Sequence, residues 1–491
     1  MSPPKINVFL PIELKYSEHY KASFENNSLV NKIFFIRATK EPVESSDNNI
    51  LQTPSYSGSN TFNKISRLNE GNDFLFITEP LELNISKEAL HRIISIAHDS
   101  AAGIVTSNHY EIINEKKEHR EVLNHHDGCV RDDFYFGPLI YVSHFAFDYA
   151  VTQCSDDLSY AGLYDIRLHI SERFKILNIP ENLYSFKKMF AGKGKSESHF
   201  NYVDPKNREV QSEMEKVFTK HLIRINAKVP AVNPVSEHEE NIFEYEASVI
   251  IPVKDRVKTI CDAIESALKQ KTDFLFNIIV VDNHSTDGTT EAIRQIAKNN
   301  KSLVHIIPER DDSGIGGCWN EAVHSVHCGK YSVQLDSDDL YKDETTLQKI
   351  VDVFRKEKCA MVIGSYIITD FNLQEIPPGV IDHKEWTDHN GMNNALRING
   401  LGAPRAFYTP ILREINFPNV SYGEDYSVAL RISAEYKVGR IYDPVYICRR
   451  WEGNSDHNIS HEQQNKNNAY KDFIRLREIL TRQKKNRKVE K

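Results

Sequence analysis

No stretch of this 491-residue chain reaches the ~18 consecutive apolar residues that a membrane-spanning helix needs. Cysteine is scarce and odd in number: there are seven, with no C-x-x-C pair. That points to reduced thiols in a cytosolic compartment and argues against a zinc site. Positive charge is not in excess either; the net charge of −8 gives no global electrostatic case for nucleic acid. Met1-Ser2-Pro3-Pro4-Lys5 leads straight into a strand-like Ile6-Asn7-Val8-Phe9-Leu10, without the apolar region and cleavage site of a signal peptide. The expected location is therefore cytoplasmic. What is present is ordinary globular material, 40% hydrophobic and 26% charged, in a length that suits roughly two to four domains.

The first half alternates short apolar runs with helical patterns. Strands are predicted over Ile6–Ile12, Lys32–Arg37, Phe74–Ile77, Gly103–Thr106 and Phe174–Ile179, and helices over Lys87–Ala97 and Tyr164–Arg173. Such alternation predicts an α/β fold with a largely parallel sheet. The order begins again at Glu246-Ala247-Ser248-Val249-Ile250-Ile251-Pro252, after a Pro- and charge-bearing linker over Ala227–Glu240.

The halves also share a hydrophobic frame. Asp73-Phe74-Leu75-Phe76-Ile77 matches Tyr331-Ser332-Val333-Gln334-Leu335, and Ala102–Ser107 matches Ala360–Ser365 at the same spacing. Ser159-Tyr160 and Leu168–Ser171 match Ser421-Tyr422 and Leu430–Ser433. Two tandem copies of one domain are the natural reading. The polar residues are not copied: Asp336 meets Thr78, Asp338 meets Pro80, Asp425 meets Leu163, Asp255 meets Leu14 and Asp282 meets Arg37. Acids absent together from one copy point to chemistry confined to the other.

In the second copy these acids fall at predicted strand ends. Leu335-Asp336-Ser337-Asp338-Asp339 follows an apolar strand and precedes a helix with Leu347, Ile350, Val351 and Phe354 on one face. This is where open α/β sheets bind ligands. Three acids so close repel one another unless a cation sits among them, and Mg²⁺ or Mn²⁺ prefers carboxylate oxygen. The plain alternative is an acidic turn capping the next helix.

The segments Ile250-Ile251-Pro252-Val253-Lys254-Asp255-Arg256, Val280-Val281-Asp282-Asn283-His284-Ser285-Thr286-Asp287-Gly288-Thr289, Leu335–Asp339 and Gly423-Glu424-Asp425, in this order, resemble the family 2 inverting glycosyltransferases of the GT-A fold. The resemblance covers about residues 246–455. It implies that Pro252, Asp255 and Asp282 contact the nucleoside of a nucleotide-diphosphate sugar, with Arg256 beside them. It also implies that Asp336 lies near ribose or sugar, that Asp338 binds a divalent cation (Mn²⁺ or Mg²⁺) bridging the diphosphate, and that Asp425 is the catalytic base. Asn320, in Gly314-Ile315-Gly316-Gly317-Cys318-Trp319-Asn320, matches a recurrent asparagine of the donor region. Arg405, Glu424 and Trp451 fall in the expected sugar or acceptor pocket, and Trp386 is a candidate stacking ring or a core residue.

Cys448-Arg449-Arg450-Trp451 resembles the end of the Q-x-x-R-W motif of processive relatives, but Ile447 stands where glutamine belongs. That favours transfer of a single sugar. Arg449 or Arg450 is a candidate diphosphate clamp, with Lys187-Lys188 in their place in the first copy, and His457 is a candidate further metal ligand or a solvated loop residue. The predicted organisation is two tandem GT-A-like α/β domains with mostly parallel sheets. A degenerate copy spans 1–226, a linker 227–245, a catalytic domain 246–474 and a basic helical tail 475–491. The acceptor class implied is a glycan or lipid-linked glycan, and the tail is a candidate for peripheral contact with anionic lipid. Two rivals remain: a non-catalytic nucleotide-sugar or glycan-binding protein of the same fold, and a nucleotidyltransferase, whose usual Gly-rich basic N-terminal loop is missing.

Overall fold

Val249-Ile250-Ile251 and Ile278-Ile279-Val280-Val281 are apolar at every position, as strands covered on both faces must be. In the computed structural model each of these seven side chains is 0% exposed. The structure describes residues 5–15, 20–25, 27–41, 47–68, 70–154, 157–189, 208–236, 242–384, 386–387, 389–454 and 459–489. They form two compact units, the first drawn from Met1–Lys195, Arg208–Ala227 and Ser460–Lys491, the second from Lys228–Ile459.

The first unit contains β1 (Ile6–Pro11), β2 (Val30–Ala38), β3 (Ile50–Thr53), β4 (Asp73–Ile77), β5 (Leu81–Ile85), β6 (Ile104–Ile113), β7 (Lys116–Arg120), β8 (Leu139–Val142) and β9 (Ile176–Lys188). The second contains β10 (Ala247–Val253), β11 (Phe276–Asp282), β12 (Leu303–Ile306), β13 (Tyr331–Gln334), β14 (Leu340–Tyr341), β15 (Met361–Asp370), β16 (Glu375–Ile381), β17 (Arg405–Tyr408) and β18 (Val438–Arg450). Their orders are β3-β2-β1-β4-β8-β6-β9-β5 and β12-β11-β10-β13-β17-β15-β18-β14, with β7 on β6 and β16 on β15. Strand for strand, the two nine-stranded sheets are the same. The first four strands of each are parallel. The β8 and β17 strands then run antiparallel to both neighbours.

Ladder registers support the pairing read from sequence for β1, β2 and β4, but set Ile104 against Met361, opposite Val142 and Phe407, which shifts the expected match of Ala102–Ser107 to Ala360–Ser365 by one residue. Val8 lies opposite Ile33 as Val249 lies opposite Ile278, which carries Arg37 onto Asp282. Ile6 faces Asp73 as Ala247 faces Tyr331. Even a turn is kept: Gly137 and Gly402, just before β8 and β17, have φ of 76° and 77°, a backbone state that strongly favours glycine.

The C-terminus departs from the expected boundaries. The helix His461–Val489 is continuous, and residues from Ser460 onward belong to the first unit; neither a 246–474 domain nor a separate 475–491 tail describes it. Nor is it simply a solvated basic extension, because Arg475, Ile479 and Arg482 are buried. Asp472 neutralises two buried arginines, with Arg131 Nε at 3.1 Å and Arg475 Nη1 at 2.7 Å. No described helix is long and apolar enough to cross a membrane. Asp472→Ala takes the shared carboxylate from both guanidinium groups, Arg131 keeping Asp133, and loss of one member of a buried ionic network costs about 3–5 kcal/mol. The expected outcome is a clear fall in urea midpoint, while Glu462→Ala, at an exposed pair on the same helix, leaves it nearly unchanged.

Candidate active site

Strand β13 runs parallel to β10 up to Gln334, and the Leu335 N–H still donates to the Ile250 carbonyl. There the chain leaves the sheet and turns, the Asp339 N–H donating to the Asp336 carbonyl at 3.1 Å. Two groups of β18 hold this turn. The Tyr446 hydroxyl accepts from the Asp336 N–H at 2.9 Å, and the Asp339 carboxylate accepts from the Arg449 N–H at 2.8 Å. Burial first, then Asp336 and Asp338, push Asp339 well above the usual carboxylate range. The third acid is thus a brace for the turn.

The other two face different partners. Asp338 Oδ2 accepts from Trp451 Nε1 at 3.2 Å and Asn454 Nδ2 at 3.1 Å, with Arg256 Nε at 3.9 Å. Its Oδ1 has no hydrogen bond among the described residues. Asp336 Oδ1 accepts from Gln334 Nε2 at 2.8 Å. Burial raises Asp336 above its ordinary value; Arg405 and Gln334 oppose the rise, and Asp338 and Asp425 add to it. Acids that destabilise each other's charge, one with an open oxygen, fit a hard divalent cation. Asp338 would ligate it, with Asp336 beside it.

Arg405 completes the cluster. Strand β17 pairs with β13, Ala406 opposite Val333, so the Arg405 N–H reaches Gln334 Oε1 at 3.1 Å. Its Nη1 lies 2.8 Å from Asp425 Oδ2 and donates to the Gly402 carbonyl at 2.6 Å. Asp425 lies in the first turn of the helix Glu424–Ser433, behind Gly423 at φ 77°. Its Oδ1 accepts from the Tyr426 N–H at 2.7 Å. Glu424 is buried, and burial followed by the charge of Asp425 pushes it up to about 8. It is therefore mostly neutral at pH 7. Burial works against the Arg405 charge, but Asp425, Asp336 and Glu424 outweigh it and raise its pKa. The acids at the end of β13 and those of the Gly423-Glu424-Asp425 turn thus converge on one guanidinium, that of Arg405.

The two loops expected at the nucleoside are stapled together. Asp255, at φ 52°, accepts from the Thr286 N–H at 2.7 Å, and its own N–H donates to Ser285 Oγ at 2.9 Å. Asp287 receives the Val257 and Thr289 N–H groups, each at 3.0 Å. The Arg256 N–H donates to Thr289 Oγ1 at 2.8 Å. Pro252 is half-buried in β10, opposite Val281.

Several expected contacts are spent internally. Asp282 is 0% exposed, accepting from the Ser285 N–H at 3.0 Å and Thr290 Oγ1 at 2.5 Å. Burial alone would raise its pKa, but the nearby His305, with Nε2 at 3.5 Å, and hydrogen bonds from Thr290 and Ser285 hold it below the usual carboxylate range. It fixes the loop and presents no open oxygen to a nucleoside. Asn320 is a clamp: its amide donates to the Phe417 carbonyl and accepts from the Phe417 N–H, both at 2.9 Å. Arg449, 3% exposed, spans Asp262 Oδ2 at 2.9 Å and the Asp338 carbonyl. It braces the acidic turn instead of standing open for a diphosphate. Arg450 is half-buried, opposite Asp370. Trp386 is a core residue under the Arg440 guanidinium, which lies 4.9 Å from its ring centre. His457 lies outside the described residues. Gln334, Tyr446 and Asn454 are the positioning groups that sequence reasoning missed; only Asn454 had a local signal, its place three residues after Trp451.

The sequence pattern of glycosyl transferase family 2 matches residues 248–410, the span that supplies both strand-end loops, the acidic turn and Arg405. The second unit carries a family 2 glycosyl transferase domain. The chain is 31% identical over 119 residues to a putative teichuronic acid biosynthesis glycosyltransferase, TuaG, of Bacillus subtilis, a match covering 24% of this chain and 46% of that protein. The poly(ribitol-phosphate) beta-glucosyltransferase of Bacillus spizizenii is 25% identical over 212 residues, covering 41% of this chain and 32% of the other. The chain spans less than half the length of the curated relatives it matches. Among solved structures, S. aureus TarS 1–349 in complex with UDP-GlcNAc aligns at a TM-score of 0.37 and 22% identity, covering 48% of this chain and 72% of that one.

A proton held by Glu424 in the folded state and released in the unfolded state makes stability fall as pH rises from about 4.5 toward 8. Glu424→Gln removes that dependence. Urea midpoints measured across this range are expected to show the variant gaining on the parent protein toward alkaline pH.

Proposed function

We propose that the second unit transfers a sugar from a nucleotide-diphosphate sugar, with a UDP-sugar as the first donor to test, to a hydroxyl of a glycan or glycolipid, with inversion at the anomeric carbon. The observation that carries this reading is Arg405, held between Asp336 and Asp425, with Asp338 two residues from the former. Breaking a sugar–diphosphate bond builds negative charge on the leaving group and oxocarbenium character on the sugar. A divalent cation, Mn²⁺ or Mg²⁺, supplies Lewis-acid stabilisation of the leaving group when bound. Asp338 is the proposed ligand, oriented by Trp451 and Asn454.

Asp425 is the proposed general base. Its ion pair with Arg405 favours the carboxylate, and the Tyr426 N–H fixes one oxygen, so the charged form is oriented before an acceptor hydroxyl arrives. The neutral Glu424 beside it adds no second negative charge. Attack from the face opposite the leaving group inverts the anomeric centre, so an α-linked donor gives a β-linked product. Asp255 and Arg256 are the proposed nucleoside-side contacts, carried on the stapled loops. The printed names of the Bacillus relatives support assembly of surface polysaccharide as the setting.

The first unit is proposed to be non-catalytic. It has Thr78, Pro80 and Leu163 where the second has Asp336, Asp338 and Asp425. Tyr184, the register counterpart of Tyr446, holds no turn: its ring stacks on His109 at 4.8 Å, and its hydroxyl has no hydrogen bond among the described residues.

The test is a donor screen scored by nucleotide release with Mn²⁺ or Mg²⁺. Asp338→Ala is expected to lose cation-dependent donor binding. Asp425→Asn is expected to keep donor binding within a fewfold and lose turnover by roughly 10²-fold or more. Full turnover in both variants would remove the site assignment. Tight donor binding by the parent protein without nucleotide release, over a panel of glycan acceptors, would favour the binding-protein reading.

A further inference from the structure

The helix Gly162–Arg173 of the first unit carries Asp165 and His169 one turn apart, and both side chains are buried, at 4% and 5% exposure. Cys154 caps the C-terminal end of the helix His144–Gln153, its N–H bonded to the Ala150 carbonyl. A Cys154 sulfur, an Asp165 carboxylate oxygen and a His169 ring nitrogen lie within 4.8 Å of one another.

Burial makes this arrangement unusual. His169 Nε2 stands 3.5 Å from Asp165 Oδ1, beyond a good N–H···O bond, and neither side chain makes a hydrogen bond among the described residues.

We propose that Cys154, Asp165 and His169 form a zinc site in the first unit. The donor set decides the metal: one sulfur, one imidazole nitrogen and one carboxylate oxygen suit Zn²⁺, whereas Mg²⁺ and Mn²⁺ prefer oxygen alone. The spacing agrees. Nitrogen and oxygen ligands at ~2.1 Å from a tetrahedral zinc are about 3.4 Å apart, against the 3.5 Å observed. A side-chain rotation brings the sulfur in, its thiol proton passes to solvent on binding, and water takes the fourth position. The ion ties the end of one helix to the next. In the second unit the corresponding positions are Asn416, at the matching helix cap, Ser427 and Arg431, which cannot supply this set. The site therefore belongs to the first copy alone.

The experiment uses the full chain, stripped with chelator and titrated with Zn²⁺ and, separately, Co²⁺. Asp338→Ala serves as the background, so that the proposed catalytic cation site does not contribute. One tightly held Zn²⁺ per chain and a thiolate-to-cobalt absorption band are expected. Cys154→Ser should abolish the band, and both Cys154→Ser and His169→Gln should weaken Zn²⁺ binding by roughly tenfold or more. Cys261→Ser should change neither. Should His169→Gln fail to fold, the Cys154→Ser band decides alone. A folded chain without the band, or zinc binding indifferent to Cys154, overturns the proposal.

Discussion

One guanidinium makes the acidic cluster of the second unit possible. Asp336, Asp425 and Glu424 each raise the electrostatic cost of the others, and burial adds to that cost. Arg405 sits among them with its charge reinforced by all three. Its place is set by the sheet, because β17 runs antiparallel beside β13 and puts its first residue next to Gln334. Gln334 then joins the Arg405 main chain to the Asp336 carboxylate. The rest of the site depends on this strand pairing, which delivers a positive charge to the place where acids converge.

Around that centre the polar residues divide into those that hold the site and those that face it. Asp339, Asp282, Asn320 and Arg449 are buried or spent on backbone groups, and they keep the acidic turn and the strand-end loops in shape. Asp338, Asp425, Asp255 and Arg256 retain partial exposure. Both groups are needed, since a carboxylate aimed at a cation or a hydroxyl works only if its loop does not drift. Tyr446 illustrates the dependence: in the second unit its hydroxyl receives the Asp336 N–H, whereas Tyr184 stands unused at the matching place in the first.

The two sheets show what a duplicated domain keeps under divergence. Strand order, ladder register and the left-handed glycine before β8 and β17 persist, because each is bound to the packing of the whole sheet. Side chains in the strand-end loops differ between the two units while the frame stays the same. The first copy lacks those acids, and carries instead a half-buried Cys154 beside the buried Asp165 and His169 of the next helix.

Much was legible in the chain alone. Short apolar runs marked the strands, self-similarity showed the tandem copies, and the order of acidic motifs pointed to the family, because these signals are local and survive in one dimension. Sequence could not tell Asp339 from Asp338, or Asp282 from Asp255, because the difference lies in which backbone donors another strand brings within 3 Å or so. It argued against a zinc site from the lack of paired cysteines, yet folding set Cys154 beside an acid and a histidine from the next helix. It ended the second domain within a helix that packs into the first unit. Those outcomes depend on pairing and burial between residues far apart in the chain, and only the tertiary structure decided them.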